Sequence, residues 1–136
     1  MNTNHIAIEV SRDEHYKTPY LKELKESWPS LAKDFRHYCH IHSPKKGDLW
    51  VWTSPEGQKF VHFILDQVEG EQQDSQERIQ YFKQALKKAK KIVEEEKIQF
   101  LNFASKAFHF KANEIEHMKQ VVEEVLGDTA VKVSYN

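Results

Sequence analysis

The chain has 136 residues, of which 39% are hydrophobic and 30% charged, with a formal net charge of −1. This length suits a single domain over 1–136 with one core, and the composition excludes a disordered chain. A near-neutral balance argues against a dedicated nucleic-acid binder, whose usual footprint is a basic domain.

The first apolar stretch, Ile6 to Val10, is short and partly β-branched and predicts a strand. Ser11 to Lys17 is polar and reads as a loop. From Thr18 the pattern turns helical, with Tyr20, Leu21 and Leu24 on one face, then Leu31, Phe35 and Tyr38. Pro29 interrupts, so the segment is two short helices or one kinked helix, ending near His42. Asp48–Thr53 and Lys59–Leu65 are strands joined by Ser54-Pro55-Glu56-Gly57, which suits a type I turn in an antiparallel hairpin. Both faces of this hairpin are apolar, which predicts cover on both sides.

A helix is expected to start at Asp74 with Glu77 three residues on, in the manner of a capping box, and to run to about Glu96. Ile79, Phe82, Leu86, Ala89 and Val93 form its apolar stripe. Ile98–Ala104 reads as a central strand covered on both faces. After a loop at Ser105–Ala112, Asn113 and Glu116 are candidate caps for a helix that buries Ile115, Met118, Val122 and Val125 and stops at Gly127. Ala130–Tyr135 is the last strand. Strands separated by helices are usually parallel. The expected architecture is therefore an α/β, three-layer α-β-α sandwich around a mixed, mostly parallel sheet.

Cys39 is the sole cysteine, so an intrachain disulfide is excluded and a reducing compartment is favoured. Met1–His15 has charges among its apolar residues and no signal-peptide core, and the apolar runs are far shorter than a membrane span. A cytoplasmic location without a membrane partner is the expectation.

Ligands of such sheets bind beyond the C-terminal ends of the strands. The loops Ser11–Lys17 and Ser105–Ala112 meet that description. The second leads into a helix N-terminus, whose free N–H groups favour an anion. Arg12, Asp13, Lys106, His109 and Lys111 are therefore the candidate ligand residues for a phosphate-bearing or nucleotide ligand. The competing reading is that they are solvated loop residues. Neither loop holds a glycine, although close approach of backbone to phosphate usually needs residues without a Cβ. Bulky Phe108 and Phe110 stand there instead, as a partner surface or as a plug in the cleft.

His37, Cys39, His40 and His42 cluster near a helix end, where histidine is favourable without a metal, so no metal and no cofactor are expected. Lys87, Lys88, Lys90 and Lys91 read as a solvated helix face, and Trp50 and Trp52 as packing.

From Trp28 onward the chain resembles a macrodomain. The features are W-P-S-L-A-K-D-F-R-H-Y-C, the G-D-L-W-V-W strand from Gly47, the helix Ser75–Glu96, I-Q-F-L-N-F-A, M-K-Q-V-V-E-E-V-L and V-K-V-S-Y. Their order and spacing are similar to the branch that acts on ADP-ribosylated nucleic acid. The resemblance implies ADP-ribose as ligand, and in some members hydrolysis of ADP-ribosyl links, carried by two glycine-rich loops. By position these fall on Ser11–Lys17 and Ala104–Ala112, where the family's asparagines, proline and glycines are absent. Its opening strand, with an aspartate that contacts adenine, also has no counterpart before Ile6. The expectation is a divergent macrodomain-like protein without hydrolase activity that binds ADP-ribose or a related nucleotide. The alternative is a protein-interaction module that kept the fold and lost the ligand. A third option, an enzyme with relocated groups, would use Asp13, Glu14 or His15.

Overall fold

The computed structural model describes residues 4–12, 19–65, 75–108 and 110–136. Among these residues, five strands form one sheet: β1 (Asn4–Val10), β2 (Leu49–Thr53), β3 (Lys59–Ile64), β4 (Phe100–Phe103) and β5 (Lys132–Tyr135). Their spatial order is β2-β3-β1-β4-β5, and only the β2–β3 pair is antiparallel. β1 lies in the middle, with Ile8 opposite His62 of β3 and Ala7 opposite Phe103 of β4.

Two helices cover each face. On one side α1 (Pro19–Ser27) and α2 (Pro29–His42) enclose Ile8, Val10, Leu31, Phe35, Phe60 and Ile64. On the other side α3 (Ser75–Glu96) and α4 (Ala112–Leu126) enclose Ala7, Phe63, Phe82, Leu86, Phe103 and Met118. The alternation of a strand sends Val61 and Phe63 to one core and Phe60 and Ile64 to the other. The expected three-layer α-β-α sandwich is what forms.

Pro29 divides the first helical region. Trp28, just before it, lies outside the helical region (φ −133°, ψ 82°), in keeping with the steric bar that a following proline sets against it. Pro29 then opens α2, where its missing N–H costs nothing. The β2–β3 hairpin turns as expected. The Gly57 N–H donates to the Ser54 carbonyl at 2.9 Å, and its φ of +92° favours glycine. The stripe Ile79, Phe82, Leu86, Ala89, Val93 of α3 is buried throughout.

Four expectations are corrected. Ile115 is 37% exposed, because α4 turns Met118, Val121, Val122 and Val125 inward instead. The helix starts at Ala112 with Lys111 in the N-cap position, so it is Glu114, not Glu116, that reaches back to accept the N-cap N–H, and Asn113 falls inside the first turn. The penultimate strand is shorter than Ile98–Ala104. It is also not doubly covered: Phe100 is 38% exposed, since α1 and α2 reach over the β1–β2 side and leave part of that face open. Gly127 ends α4 in a right-handed conformation (φ −63°, ψ −22°), so it is needed not for a left-handed turn but because a Cβ would strike the Glu123 carbonyl. The proposed start at Asp74 lies outside the described residues. Among the described residues, no helix is long and apolar enough to cross a membrane.

Candidate functional site

The two loops singled out by sequence leave the same end of the sheet, because β1 and β4 are parallel neighbours. The β4–α4 loop is fastened where it begins. The Ala104 N–H donates to the Ala7 carbonyl at 3.0 Å and the Ser105 N–H to the Asn136 carbonyl at 2.6 Å. A short 3-10 turn at Ser105–Ala107 follows, within the expected loop Ser105–Ala112.

The candidate residues take different places. Arg12 is exposed and donates from Nη1 to the Pro44 carbonyl at 3.1 Å, reaching the α2–β2 connection. Lys106 and Lys111 are exposed, one in the 3-10 turn and the other at the cap of α4. Asp13, His109, Glu14 and His15 lie outside the described residues. Among the described candidates, Phe108 and Phe110 are brought together, stacked at 6.0 Å with an interplanar angle of 11°. Phe108 is 9% exposed and packs against Phe63, Phe82 and Phe103. Phe110 is half-buried with its edge towards Phe82 at 5.4 Å. The loop therefore turns its large side chains inward, where burial of an aromatic ring contributes most.

Above Phe110 lies a buried group that sequence reasoning missed. The Arg78 guanidinium sits 4.7 Å from the centre of the Phe110 ring. It donates from Nη2 to Glu9 Oε1 at 3.1 Å and from Nη1 to Glu114 Oε1 at 3.4 Å. All three side chains are at most 3% exposed. Glu114 Oε1 also accepts the Lys111 N–H at 2.8 Å. The cluster ties β1, α3 and α4 together, and both carboxylates are engaged with the guanidinium. One donor of the α4 N-terminus is met by the chain's own carboxylate, at the position where an anion would otherwise bind. A signal for this was present: Glu9 interrupts the apolar run I-A-I-E-V of a central strand, and Arg78 stands four residues before Phe82 on the buried stripe.

The opposite face buries His62, stacked on Phe35 at 5.5 Å and meeting the edge of Trp50 at 4.7 Å. Its Nδ1 lies 3.1 Å from the Phe60 carbonyl, so the neutral ring donates there. Burial lowers its pKa to about 4, against the pull of the Phe60 and Trp50 backbone. Tyr38 continues the stack onto Trp50 and His42. Trp52 is buried and Trp50 partly exposed, both packed against the α2 core, with the Trp52 indole N–H donating to Asp34 at 2.7 Å. Among the described residues, no three His, Cys, Asp or Glu side chains converge to hold a metal. A groove of about 520 Å³ lies at the other end of the sheet, lined by Lys97, Gln99, Asp128 and Thr129. Among the described residues, none of the candidates lines it.

Searched as a sequence, the chain matches no protein-family model and no curated protein. Its structure gives a clear answer. The macrodomain of Thermus aquaticus DarG superposes with a TM-score of 0.78 at 14% identity, over 99% of this chain and 89% of that one. The chain has the macrodomain fold. The macrodomain of Mycobacterium tuberculosis DarG gives a TM-score of 0.75 at 12% identity, over 99% and 89% of the two chains. Thermosipho africanus DarTG, solved in complex with ADP-ribose, gives 0.77 at 11% identity, over 96% of this chain and 37% of that one. At such low identities the likeness is one of fold. The same low identities explain why the sequence matches nothing by itself: the fold is specified by burial pattern and topology, which many sequences satisfy.

Proposed function

We propose that this chain is a macrodomain-fold protein without hydrolase chemistry that acts as a protein-interaction module, its ligand cleft being plugged by Phe108 and Phe110. One observation carries the plug: the β4–α4 loop packs Phe108 into the core and holds Phe110 under the Arg78 guanidinium, and the interaction role is what is left to a fold kept without its ligand. A diphosphate would have to approach bulky rings and two carboxylates, Glu9 and Glu114, without the glycine backbone that usually admits it. The lone Cys39 supports a cytoplasmic setting, and the length supports action as one domain.

A second reading is favoured by the exposed cations. Lys106 and Lys111, with Arg12, Asp13 and His109, would bind ADP-ribose or a related nucleotide, as the Thermosipho africanus neighbour binds ADP-ribose. A thermal-shift panel with ADP-ribose, NAD, AMP and inorganic phosphate decides between them. Ligand at 100 times its dissociation constant stabilises a fold by about 2.7 kcal/mol. The plugged cleft predicts no shift with any of the four. A shift with ADP-ribose that is lost in Lys106→Ala/Lys111→Ala would replace it with the second reading.

A further inference from the structure

The sheet ends in two edge strands, β2 and β5, and they differ in how they are guarded. β5 presents Lys132 and Ser134 to solvent, and a lysine on an edge discourages pairing with another strand. β2 reads L-W-V-W-T, without a charge, a proline or a glycine. Leu49, Trp50 and Val51 are each left partly exposed, with Leu49 and Val51 against the α3 core and Trp50 against the α2 core. Ile41, 60% exposed, stands one helical turn beyond Tyr38, which stacks on Trp50.

The backbone of β2 is phased for a partner. The Ile64 N–H donates to the Asp48 carbonyl and the Ser54 N–H to the Gln58 carbonyl. Residues of an antiparallel pair alternate in this respect, so Leu49, Val51 and Thr53 direct their backbone N–H and C=O groups away from β3. Among the described residues no strand pairs with that side.

We propose that β2 is a docking edge for a second copy of this chain, the two β2 strands pairing antiparallel about a two-fold axis at Val51. This register sets Leu49 opposite the partner's Thr53 and Val51 opposite its counterpart, which allows about six inter-chain backbone hydrogen bonds. Trp50 then meets the partner's Trp52 across the axis. Charge fits as well. Lys46 and Glu56 stand five residues before and after Val51, so the two-fold sets each lysine beside the partner's glutamate, a pairing in which Lys46 would turn from the Tyr81 ring and Glu56 would share its carboxylate with the Trp28 indole N–H. Such an isologous contact closes as a dimer with one continuous sheet. It does not depend on how the ligand loops are read.

The test is sedimentation velocity on the full chain over a concentration series. The expected species has twice the 16.1 kDa chain mass. Thr53→Pro removes an outward N–H from an exposed position where proline is tolerated, and should raise the dimer dissociation constant about tenfold or more. Lys46→Glu and Glu56→Lys should each weaken self-association, and an equimolar mixture of the two should restore a heterodimer. If circular dichroism shows that Thr53→Pro has lost its fold, the charge-swap mixture decides. A monomer at every concentration, or a dimer indifferent to these three changes, overturns the proposal. The monomer would leave the edge to an extended segment of another protein.

Discussion

Each face of the sheet buries a polar group in an aromatic setting, and the two faces treat charge in opposite ways. Beneath α3 and α4, Arg78 keeps its charge and is held by Glu9 and Glu114 at 3.1 and 3.4 Å. Beneath α2, His62 gives its charge up, its pKa lowered to about 4 by burial. The difference follows from chemistry. A guanidinium cannot shed its proton at any ordinary pH, so burial obliges the fold to supply counter-charges. An imidazole can, so a carbonyl acceptor and flat neighbours suffice.

The comparison breaks most visibly at Arg78. Arg78→Met leaves two carboxylates buried without their cation, which should cost about 3–5 kcal/mol in urea unfolding. Replacing the whole group, as Glu9→Leu/Arg78→Met/Glu114→Leu, should recover most of that loss, because an apolar cluster of similar volume is often as stable as a buried ion pair. Recovery should stay incomplete by about 1 kcal/mol, since Glu114 also caps α4 through the Lys111 N–H. A triple variant no better than the single one would mean that the cluster contributes through shape and not through paired charge.

His62 gives the second effect. Its folded pKa lies below the unfolded value, so the unfolded chain binds more protons between the two. Stability is then complete above pH 6.5, falls as pH drops towards 4 and levels off below. A shift from 6.5 to about 4 corresponds to about 3 kcal/mol. Urea midpoints measured across this window should decline in the wild type. In His62→Phe, which can keep the stack on Phe35, that part of the decline should vanish. An unchanged slope would place the acid sensitivity elsewhere.

These two groups also mark what the sequence made legible. The helices, the hairpin and the sandwich follow from local periodicity: Ile79 to Val93 recur with the helical repeat and Ser54–Gly57 has turn chemistry, so both could be read in isolation. Glu9, Arg78 and Glu114 are dispersed over three elements, and only the fold brings them within hydrogen-bonding reach. The inward turn of Phe108 was equally hidden, because an aromatic residue in a loop is written the same way whether it faces a partner or the core. Missing glycines were legible, but what fills their place is a matter of packing. The cover over β4 departs from the expectation for the same reason. Apolar letters on both sides of Ile98–Ala104 record composition, while the position of α1 and α2 decides that Phe100 stays half-open.

The smallest effect belongs to a charge pair that is chemically akin to the Arg78 group but lies at the surface. Lys88 donates to Asp48, with the two side chains 53% and 30% exposed. Burial by itself would raise the Asp48 pKa, yet the hydrogen bonds from Lys88 and from the Lys45 backbone outweigh it and leave the carboxyl lowered. The linked stability is present at neutral pH and lost as the pH falls through the folded value. Water screens this pair, so Lys88→Ala should cost no more than about 1 kcal/mol at neutral pH, and less at high salt. Asp48 also accepts the Lys45 N–H at 2.7 Å ahead of β2. Asp48→Ala should therefore cost more than Lys88→Ala, and the excess should survive added salt. Equal losses in the two variants, both abolished by salt, would reduce Asp48 to a charge partner and remove its part in shaping the turn that leads into β2.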